Sequence, residues 1–290
     1  MKLSIALKLG RVSNLPTVWT NVFTGMALAG GVAADPRLAI LLLSLSLFYV
    51  GGMFLNDAFD SDFDAKARPE RPIPSGQVSA GQVYGIGFGM LAAGIALLAW
   101  IGYGLDPFTQ WRPVLTGAAL AAAIVFYNWH HKDNPLSPLV MGACRFLVYL
   151  SAGFAVVAVL PAGVYVAAGV LLCYLIGLTF AAKKEHLGTL DNFWPLAFLL
   201  VPVIYGVYLS IAQPLAWLPL AIFAAWILYA LKLLRRRAKG DVPRAVVSLI
   251  AGIALLDATI LAGSGNGTLA VLALGAFVLT LILQRWVSGT

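Results

Sequence analysis

Four aspartates, Asp57, Asp60, Asp62 and Asp64, fall within eight residues of the stretch "FLNDAFDSDFDAKARPERPIPSG" (Phe54 to Gly76), which ends an otherwise apolar run. Asn56, Asp60 and Asp64 follow one another at intervals of four. A helix continued through them would stack all three on one face, with Asp57 flanking them. Like charges this close repel, and a divalent cation would remove the repulsion. Hard oxygen donors of this kind suit Mg²⁺, which takes one or two carboxylates together with water and phosphate oxygens. The plain alternative is a solvated acidic helix end in a loop that also carries Lys66, Arg68 and Arg71. Against it, the cluster runs counter to the charge bias of its own side of the chain and starts where the apolar run stops.

The elements that position this cluster are written in the composition. The 290 residues are 61% hydrophobic and 11% charged, with a mean hydropathy of +0.89, far from the balance of a soluble domain. A bilayer crossing needs roughly 20 apolar residues. Splitting the uncharged runs at Pro and Gly turns predicts ten spans, near 14–34, 37–55, 80–102, 113–129, 137–158, 162–181, 194–212, 215–234, 244–263 and 267–286, the last pair being the least sharply defined. Residues 1–12 read as a basic, weakly amphipathic lead-in at the membrane surface, not as a signal peptide. The whole of 1–290 reads as one membrane domain.

All 19 Lys and Arg except Arg37, Arg112 and Arg145 fall on one side of the ten spans, which predicts that side, and both termini, to be cytoplasmic. The net charge of +7 is then a topology signal beside anionic lipid, with no need for nucleic acid. The longer polar loops, at 60–79, 130–138, 181–192 and 232–244, lie on that basic side, so function should face the cytoplasm. Cys144 and Cys173 fall in predicted helices and read as small hydrophobes. His130 and His131 lack the companions of a zinc site and read as interfacial.

Three polar residues inside predicted spans stand out. Arg145 is costly there and is expected to bind a diphosphate or an acceptor, unless it snorkels to the interface. Asn21 and Asp257 read first as helix-to-helix hydrogen-bonding residues, with Asn21 also a candidate substrate contact. Phe59, Phe126, Tyr127 and Trp129 are candidates for aromatic walls able to shelter a cation, or for packing and interface residues.

The order Asn-Asp-x-x-Asp-x-x-x-Asp at Asn56, Asp57, Asp60 and Asp64, followed by Arg68 and by Arg71-Pro72, resembles the first motif of the UbiA superfamily of intramembrane prenyltransferases. Chain length, the multi-span layout, the place of the motif after the second helix and the alternation of polar loops fit the same family. The segments "ERPIPSG", "NPLSPLVMGACR" and "AAKKEHLG" are similar to the UbiA-like branch that includes EboC. The resemblance implies an all-α bundle of nine to ten transmembrane helices around a central, cytoplasm-facing cavity in the cell's inner (plasma) membrane. It also implies Mg²⁺-dependent transfer of a prenyl group, from an isoprenyl diphosphate of geranyl to geranylgeranyl length or longer, to a small aromatic or lipophilic acceptor.

By the same resemblance, Asn56 and Asp60 match the metal-holding residues, and Asp57 and Asp64 the supporting acids. Arg71 matches the Arg of an Arg-Pro element, and Lys132 matches a Lys that follows a Tyr, here Tyr127. The implied catalytic set is Asn56, Asp60, Asp64, Lys132 and Lys183, with Asn21, Asp57, Arg68, Arg71, Tyr127, Arg145, Lys184 and Glu185 as substrate contacts. The chain departs from the family in the loop after the sixth span. There "AAKKEHLGTLD" replaces an acidic motif with spacing of four, and its acids, Glu185 and Asp191, are six apart. Lys183 or Lys184, oriented by Glu185, is expected to supply the positive charge of a second metal.

Two other functions compete. A CDP-alcohol phosphotransferase also sets several aspartates beside a membrane helix, but its motif needs a Gly after the second Asp and a later pair of Asp that this chain lacks. A transporter or isoprenoid-binding scaffold is compatible with an even number of spans. It is not supported by the gathering of polar residues at one face, away from the midplane.

Overall fold

The computed structural model describes residues 1–105, 108–132, 134–183, 194–287 and 289, and every regular element among them is helical. In order, these are α1 (Leu3–Leu9), α2 (Leu15–Leu28), α3 (Arg37–Phe59), α4 (Ser61–Ala67), α5 (Ala80–Ala99), α6 (Trp111–His130), α7 (Ser137–Phe154), α8 (Ala162–Lys183), α9 (Leu200–Ala212), α10 (Trp217–Arg236), α11 (Asp241–Gly263) and α12 (Gly267–Leu283). Local sequence sets several of the boundaries. The Ser79 hydroxyl accepts from the Gln82 amide at 3.3 Å and caps α5, satisfying one of the amides that a helix start leaves free. Prolines occupy the first turns of α2 and α7, where a missing N–H costs nothing.

Each of the ten expected spans contains a helix, the first reaching only to Leu28 and the fifth to Phe154. Seven stretches among the described residues are by themselves long and apolar enough to cross a membrane: Arg37–Phe59, Ala80–Leu105, Ser137–Phe154, Ala162–Ala182, Trp194–Ala212, Pro214–Arg236 and Asp241–Gly263. The other three fall short for reasons that can be named. Helix α12 has 17 residues and α2 has 14. Helix α6 carries Arg112 near one end and Asn128 and His130 at the other. In α2, much of the apolar surface is replaced by Thr17, Thr20, Asn21 and Thr24, all buried and committed to the polar network described below.

Helix α11 is the central pillar: 89% of an apolar 18-residue stretch within it is buried, and it touches α2, α8, α9, α10 and α12. Its small residues, among them Ala245, Ala251, Ala254 and Ala258, let neighbouring backbones come close, as tight packing between apolar helices requires. The same device joins α2 to α7. A Cβ on Gly25 would stand 2.5 Å from the Tyr149 carbonyl oxygen, so any side chain there would separate the two helices.

Apolar packing divides into two main bodies. One gathers Leu45, Phe48, Leu120, Ile124 and Val148 from α3, α6 and α7; the other gathers Leu171, Leu175, Phe223, Leu249 and Ile253 from α8, α10 and α11. Residues of both bodies face a cavity between them. Helix α1 does not hang free, because Ile5 and Leu9 are buried against Phe54, Ala58, Val78 and Val83. Its last turn thereby delivers Arg11 to the cavity rim.

Candidate active site

The helical path of α3 continues almost unbroken into α4. Asp60 keeps α-region backbone angles, its amide donates to the Asn56 carbonyl at 3.0 Å, and the Asp64 amide donates to the Asp60 carbonyl at 2.8 Å. The spacing of four therefore does what the sequence implied. Asn56, Asp60 and Asp64 all line one cavity of about 550 Å³, while Asp57 stands just behind them.

Basic side chains from three segments meet these acids. Lys132 Nζ, at the foot of α6, is 2.7 Å from Asp60 Oδ1, and His131 Nε2 is 3.6 Å from Asp60 Oδ2. Arg71 Nη1 lies 2.8 Å from Asp64 Oδ2 and 3.3 Å from Asp57 Oδ1. A run of tight turns brings Arg71 back over α4, including Arg71 amide to Arg68 carbonyl at 3.1 Å and Ser75 Oγ to Arg71 carbonyl at 2.7 Å. Arg11 Nη2 reaches Asn56 Oδ1 at 3.2 Å and Asp57 Oδ1 at 3.3 Å. Asn56 completes its bonding through Nδ2 to Asn128 Oδ1 at 3.1 Å, and Asn128 Nδ2 is anchored on the Gly52 carbonyl at 3.0 Å.

Below this rim the walls turn apolar, with Leu45, Phe48, Leu120, Ile124, Val148 and Leu175. A second polar cluster stands deeper. Arg145 lines the cavity and donates from Nη1 to Asn21 Oδ1 at 2.7 Å and from Nη2 to Thr17 Oγ1 at 3.1 Å. Its guanidinium carbon lies 5.6 Å from the centre of the Tyr49 ring. Asn21 Nδ2 in turn donates to Asp257 Oδ2 at 2.7 Å. Asp257, fully buried, also accepts from Thr20 Oγ1, from Thr24 Oγ1 at 3.0 Å and from the Tyr149 hydroxyl.

Of the residues singled out in the sequence, Asn56, Asp60, Asp64, Arg68, Arg71, Tyr127, Lys132 and Arg145 share the cavity. Asp57 serves them through Arg11 and Arg71. Asn21 does not line the cavity. It is buried and acts behind the wall, between Arg145 and Asp257, because both ends of its amide are already occupied. The Lys183 side chain, Lys184 and Glu185 lie outside the described residues. The aromatic wall differs from the one expected. Phe126 and Trp129 are 44% and 69% exposed, since the helical period of α6 turns Ile124, Tyr127, Asn128 and His131 inward instead. Phe59 packs edge-on against Tyr84 at 5.2 Å. Phe48 and Tyr49 supply the aromatic lining in their place.

Three further residues complete the site. Arg11 belongs to the basic lead-in expected at the membrane surface; a left-handed backbone at φ 42° turns it inward, and nothing local in the sequence signals that bend. His131, expected at the interface, lines the cavity. Asn128 also lines it, and its signal in the sequence is a polar residue one turn before Lys132 inside an apolar run.

The donor set fits Mg²⁺ in kind. Asn56, Asp60 and Asp64 present oxygen ligands one turn apart, and Mg²⁺ asks for only one or two carboxylates when water and phosphate complete its shell. Among the described residues no three acidic, His or Cys side chains converge on one point, so the protein offers a partial shell that a phosphate ligand would have to complete.

A multi-pass helical membrane protein with a charged rim over an apolar chamber is the class that fold and site define. The model of the UbiA prenyltransferase family matches residues 18–249, and the chain belongs to that family. A digeranylgeranylglyceryl phosphate synthase of Metallosphaera sedula is 31% identical over 122 residues, 42% of this chain and 40% of its own length. A protoheme IX farnesyltransferase of Korarchaeum cryptofilum is 34% identical over 129 residues, 42% of this chain and 40% of its own. The chain thus spans less than half the length of these curated relatives. The apo structure of a UbiA homolog from Aeropyrum pernix K1 matches with a TM-score of 0.65 at 15% identity, covering 87% of this chain and 96% of that one. That likeness bears on the fold.

Proposed function

We propose that this chain transfers a prenyl group from an isoprenyl diphosphate to a small aromatic or lipophilic acceptor, at a site facing the cytoplasm in a bundle of nine to ten spans of the inner membrane. The observation that carries the reading is the pairing, in one cavity, of a rim able to hold a diphosphate with apolar walls able to hold an isoprenoid. The segments similar to the EboC-like branch of the family are consistent with the same reading.

The reaction breaks the bond between C1 of the prenyl chain and the diphosphate oxygen, and the bonding pair leaves with the oxygen. Arg11, Arg71 and Lys132, which rest on carboxylates, can turn their N–H donors to the departing charge and stabilise it as it develops. Mg²⁺, held by Asn56 and Asp60 with Asp57 and Asp64 in support, would offset further charge on the leaving group. The allylic cation is left among Phe48, Tyr49, Tyr127 and aliphatic walls that exclude water and whose ring faces attract it. The acceptor supplies an electron pair to C1 and then loses a proton. Lys183 or Lys184, oriented by Glu185, stands in for a second metal. Ala182, the residue before Lys183, lines the cavity and supports that assignment. Two metals per diphosphate in a Mg²⁺ titration would count against it.

The test is release of diphosphate from farnesyl or geranylgeranyl diphosphate by the purified protein with Mg²⁺ and a panel of aromatic and lipid acceptors. Asp60→Ala is expected to lower release by about 100-fold or more. No release by the wild type with any donor and acceptor would instead favour a non-catalytic or transport protein that binds isoprenoid lipid.

A further inference from the structure

Arg11, Arg71 and Lys132 are not held alike at the rim. Arg11 rests on Asn56 and Asp57, and Arg71 on Asp64 and Asp57. Asp57 stands behind the residues that line the cavity, so each arginine keeps a carboxylate when the lining residues turn to a ligand. Lys132 is placed differently. Among the described residues the carboxylate paired with it is that of Asp60, at 2.7 Å, which lines the cavity and is placed to hold Mg²⁺. A dication on Asp60 would repel an ammonium at contact distance. Lys132 then needs another partner to stay at the rim.

That partner is present within the acidic motif itself. Phe63, on α4 between Asp60 and Asp64, lines the cavity, and Lys132 Nζ lies 4.0 Å from the centre of its ring. A ring face attracts a cation out to about 6 Å. Packing does not account for the ring. It is 52% exposed and belongs to none of the buried apolar bodies among the described residues. A ring face also differs from a carboxylate in the respect that matters here, because it attracts an ammonium but offers no oxygen to Mg²⁺, which is bound through oxygen. The two cations therefore do not compete for it.

We propose that Phe63 is a positioning residue for Lys132. Its ring face takes over from Asp60 as the seat of the ammonium when Asp60 is engaged by the metal, and so keeps Lys132 at the rim for the diphosphate. The inference rests on the prenyl-transfer reading and adds a residue to it, one whose effect runs through Lys132. An exposed aromatic at a membrane boundary can also serve as an interfacial anchor. An anchor depends on the apolar character of the side chain, whereas a seat for Lys132 depends on the charge distribution of the ring face.

The test follows Lys132 by NMR in the purified full chain in detergent. Its lysines are methylated with isotope-labelled formaldehyde, which keeps their charge, and the Lys132 signal is assigned by its loss in Lys132→Arg. The ring current of Phe63 should shift that signal upfield, the shift should persist when Mg²⁺ and inorganic diphosphate are added, and it should be absent in Phe63→Leu. Binding of farnesyl thiodiphosphate to the unmodified protein gives the consequence for the donor. With Mg²⁺ present, Phe63→Leu should weaken it about fivefold; without Mg²⁺, where Asp60 still holds Lys132, the change should stay within about twofold. Phe63→Tyr should bind as the wild type does. In a Lys132→Met background, Phe63→Leu should cost nothing further, since the two act as one unit. Replacing Phe63 by trifluorophenylalanine keeps the apolar ring but weakens its negative face, and should have the same effect as Phe63→Leu.

Loss of the upfield shift in the wild type on adding Mg²⁺ and diphosphate overturns the inference, because Lys132 then leaves the ring when Asp60 is engaged. So does a trifluorophenylalanine protein that binds the donor analogue as the wild type does, which would make Phe63 an interfacial anchor alone. Failure of the wild type to bind farnesyl thiodiphosphate would instead count against prenyl transfer, and the Lys132 signal with inorganic diphosphate would still decide the role of Phe63. A wild type that bound neither ligand with Mg²⁺ would overturn both.

Discussion

The rim and the deep cluster of this cavity use the same residue types in opposite ways. At the rim, cation touches carboxylate directly: Lys132 on Asp60 at 2.7 Å and Arg71 on Asp64 at 2.8 Å, with the Lys132 side chain 38% exposed. In the deep cluster, Arg145 and Asp257 are joined only through the Asn21 amide, and Asp257 has no exposed surface. The rim pairs line an open cavity, so an incoming anion can replace a carboxylate as partner without leaving the cation uncompensated. A relay with every acceptor site filled has no spare partner and cannot rearrange. The rim is therefore suited to surrender its cations to a diphosphate and receive them back in each cycle. The deep cluster is suited to present one donor group without moving.

The largest expected effect separates the two by stability. Asp257→Ala leaves Arg145 with no counter-charge and removes the acceptor for four donors, a loss of about 3–5 kcal/mol for a buried charge stripped of its partner. Reversible unfolding in mixed micelles measures it. Asp60→Ala, at the rim, leaves Lys132 with access to the cavity opening and is expected to cost less stability than Asp257→Ala while losing diphosphate release. If the two variants exchanged these behaviours, the division between an exchangeable rim and a fixed interior would be wrong. Thr24→Val removes a single donor from Asp257 and should cost only about 0.6 kcal/mol, the usual value for one hydrogen bond between membrane helices. A much larger loss would mean that the four donors act as a unit.

The difference between the clusters also decides what the sequence could reveal. The rim was legible because it is local: Asn56, Asp60 and Asp64 recur every four residues on a helix that continues through them, so spacing alone predicted their shared face. The helices were legible as apolar runs. The deep cluster could be seen only as isolated polar residues, because Asn21, Arg145 and Asp257 belong to three helices far apart in the chain. No period links them, and only packing shows that they are one unit. The same holds for Arg11, whose inward turn depends on α1 docking through Ile5 and Leu9 and on a left-handed residue that carries no sequence signature. The α6 aromatics are a different case. Tyr127 shares a helical face with Ile124 and His131 while Phe126 and Trp129 do not, so period alone could have separated wall from exterior.

Arg11 offers the next test of the rim. Its guanidinium reaches Asn56 and Asp57, yet Asp57 keeps Arg71 at 3.3 Å when Arg11 is removed. Arg11→Ala is thus expected to fold normally and to weaken farnesyl thiodiphosphate by roughly 10- to 100-fold, the value of one hydrogen bond to a charged group. The relay from Arg145 through Asn21 to Asp257 is untouched, so unfolding should stay close to the wild type. A large loss of stability would show that rim and interior are coupled.

The smallest expected effect comes from a third acid–base pair that serves as the control for both clusters. Asp35 accepts from Arg37 Nη2 at 2.6 Å, from Nε at 2.9 Å and from the Arg37 amide at 2.9 Å, so it clamps the start of α3 at the end remote from the rim. The Arg37 side chain holds the Asp35 carboxyl below its ordinary value of 3.8, and burial opposes that shift without cancelling it. A carboxylate depressed in the folded state contributes stability that is complete above its unfolded value and is lost as pH falls through the folded one. Asp35→Asn should therefore lower stability by about 1 kcal/mol or less at neutral pH, and the gap from the wild type should close as the pH is taken below 3.8. Binding of farnesyl thiodiphosphate, a slowly reacting donor analogue, should not change in this variant. A change would mean that ligand affinity follows the general stability of the bundle, and the contrast between an exchangeable rim and a fixed interior would lose its local meaning.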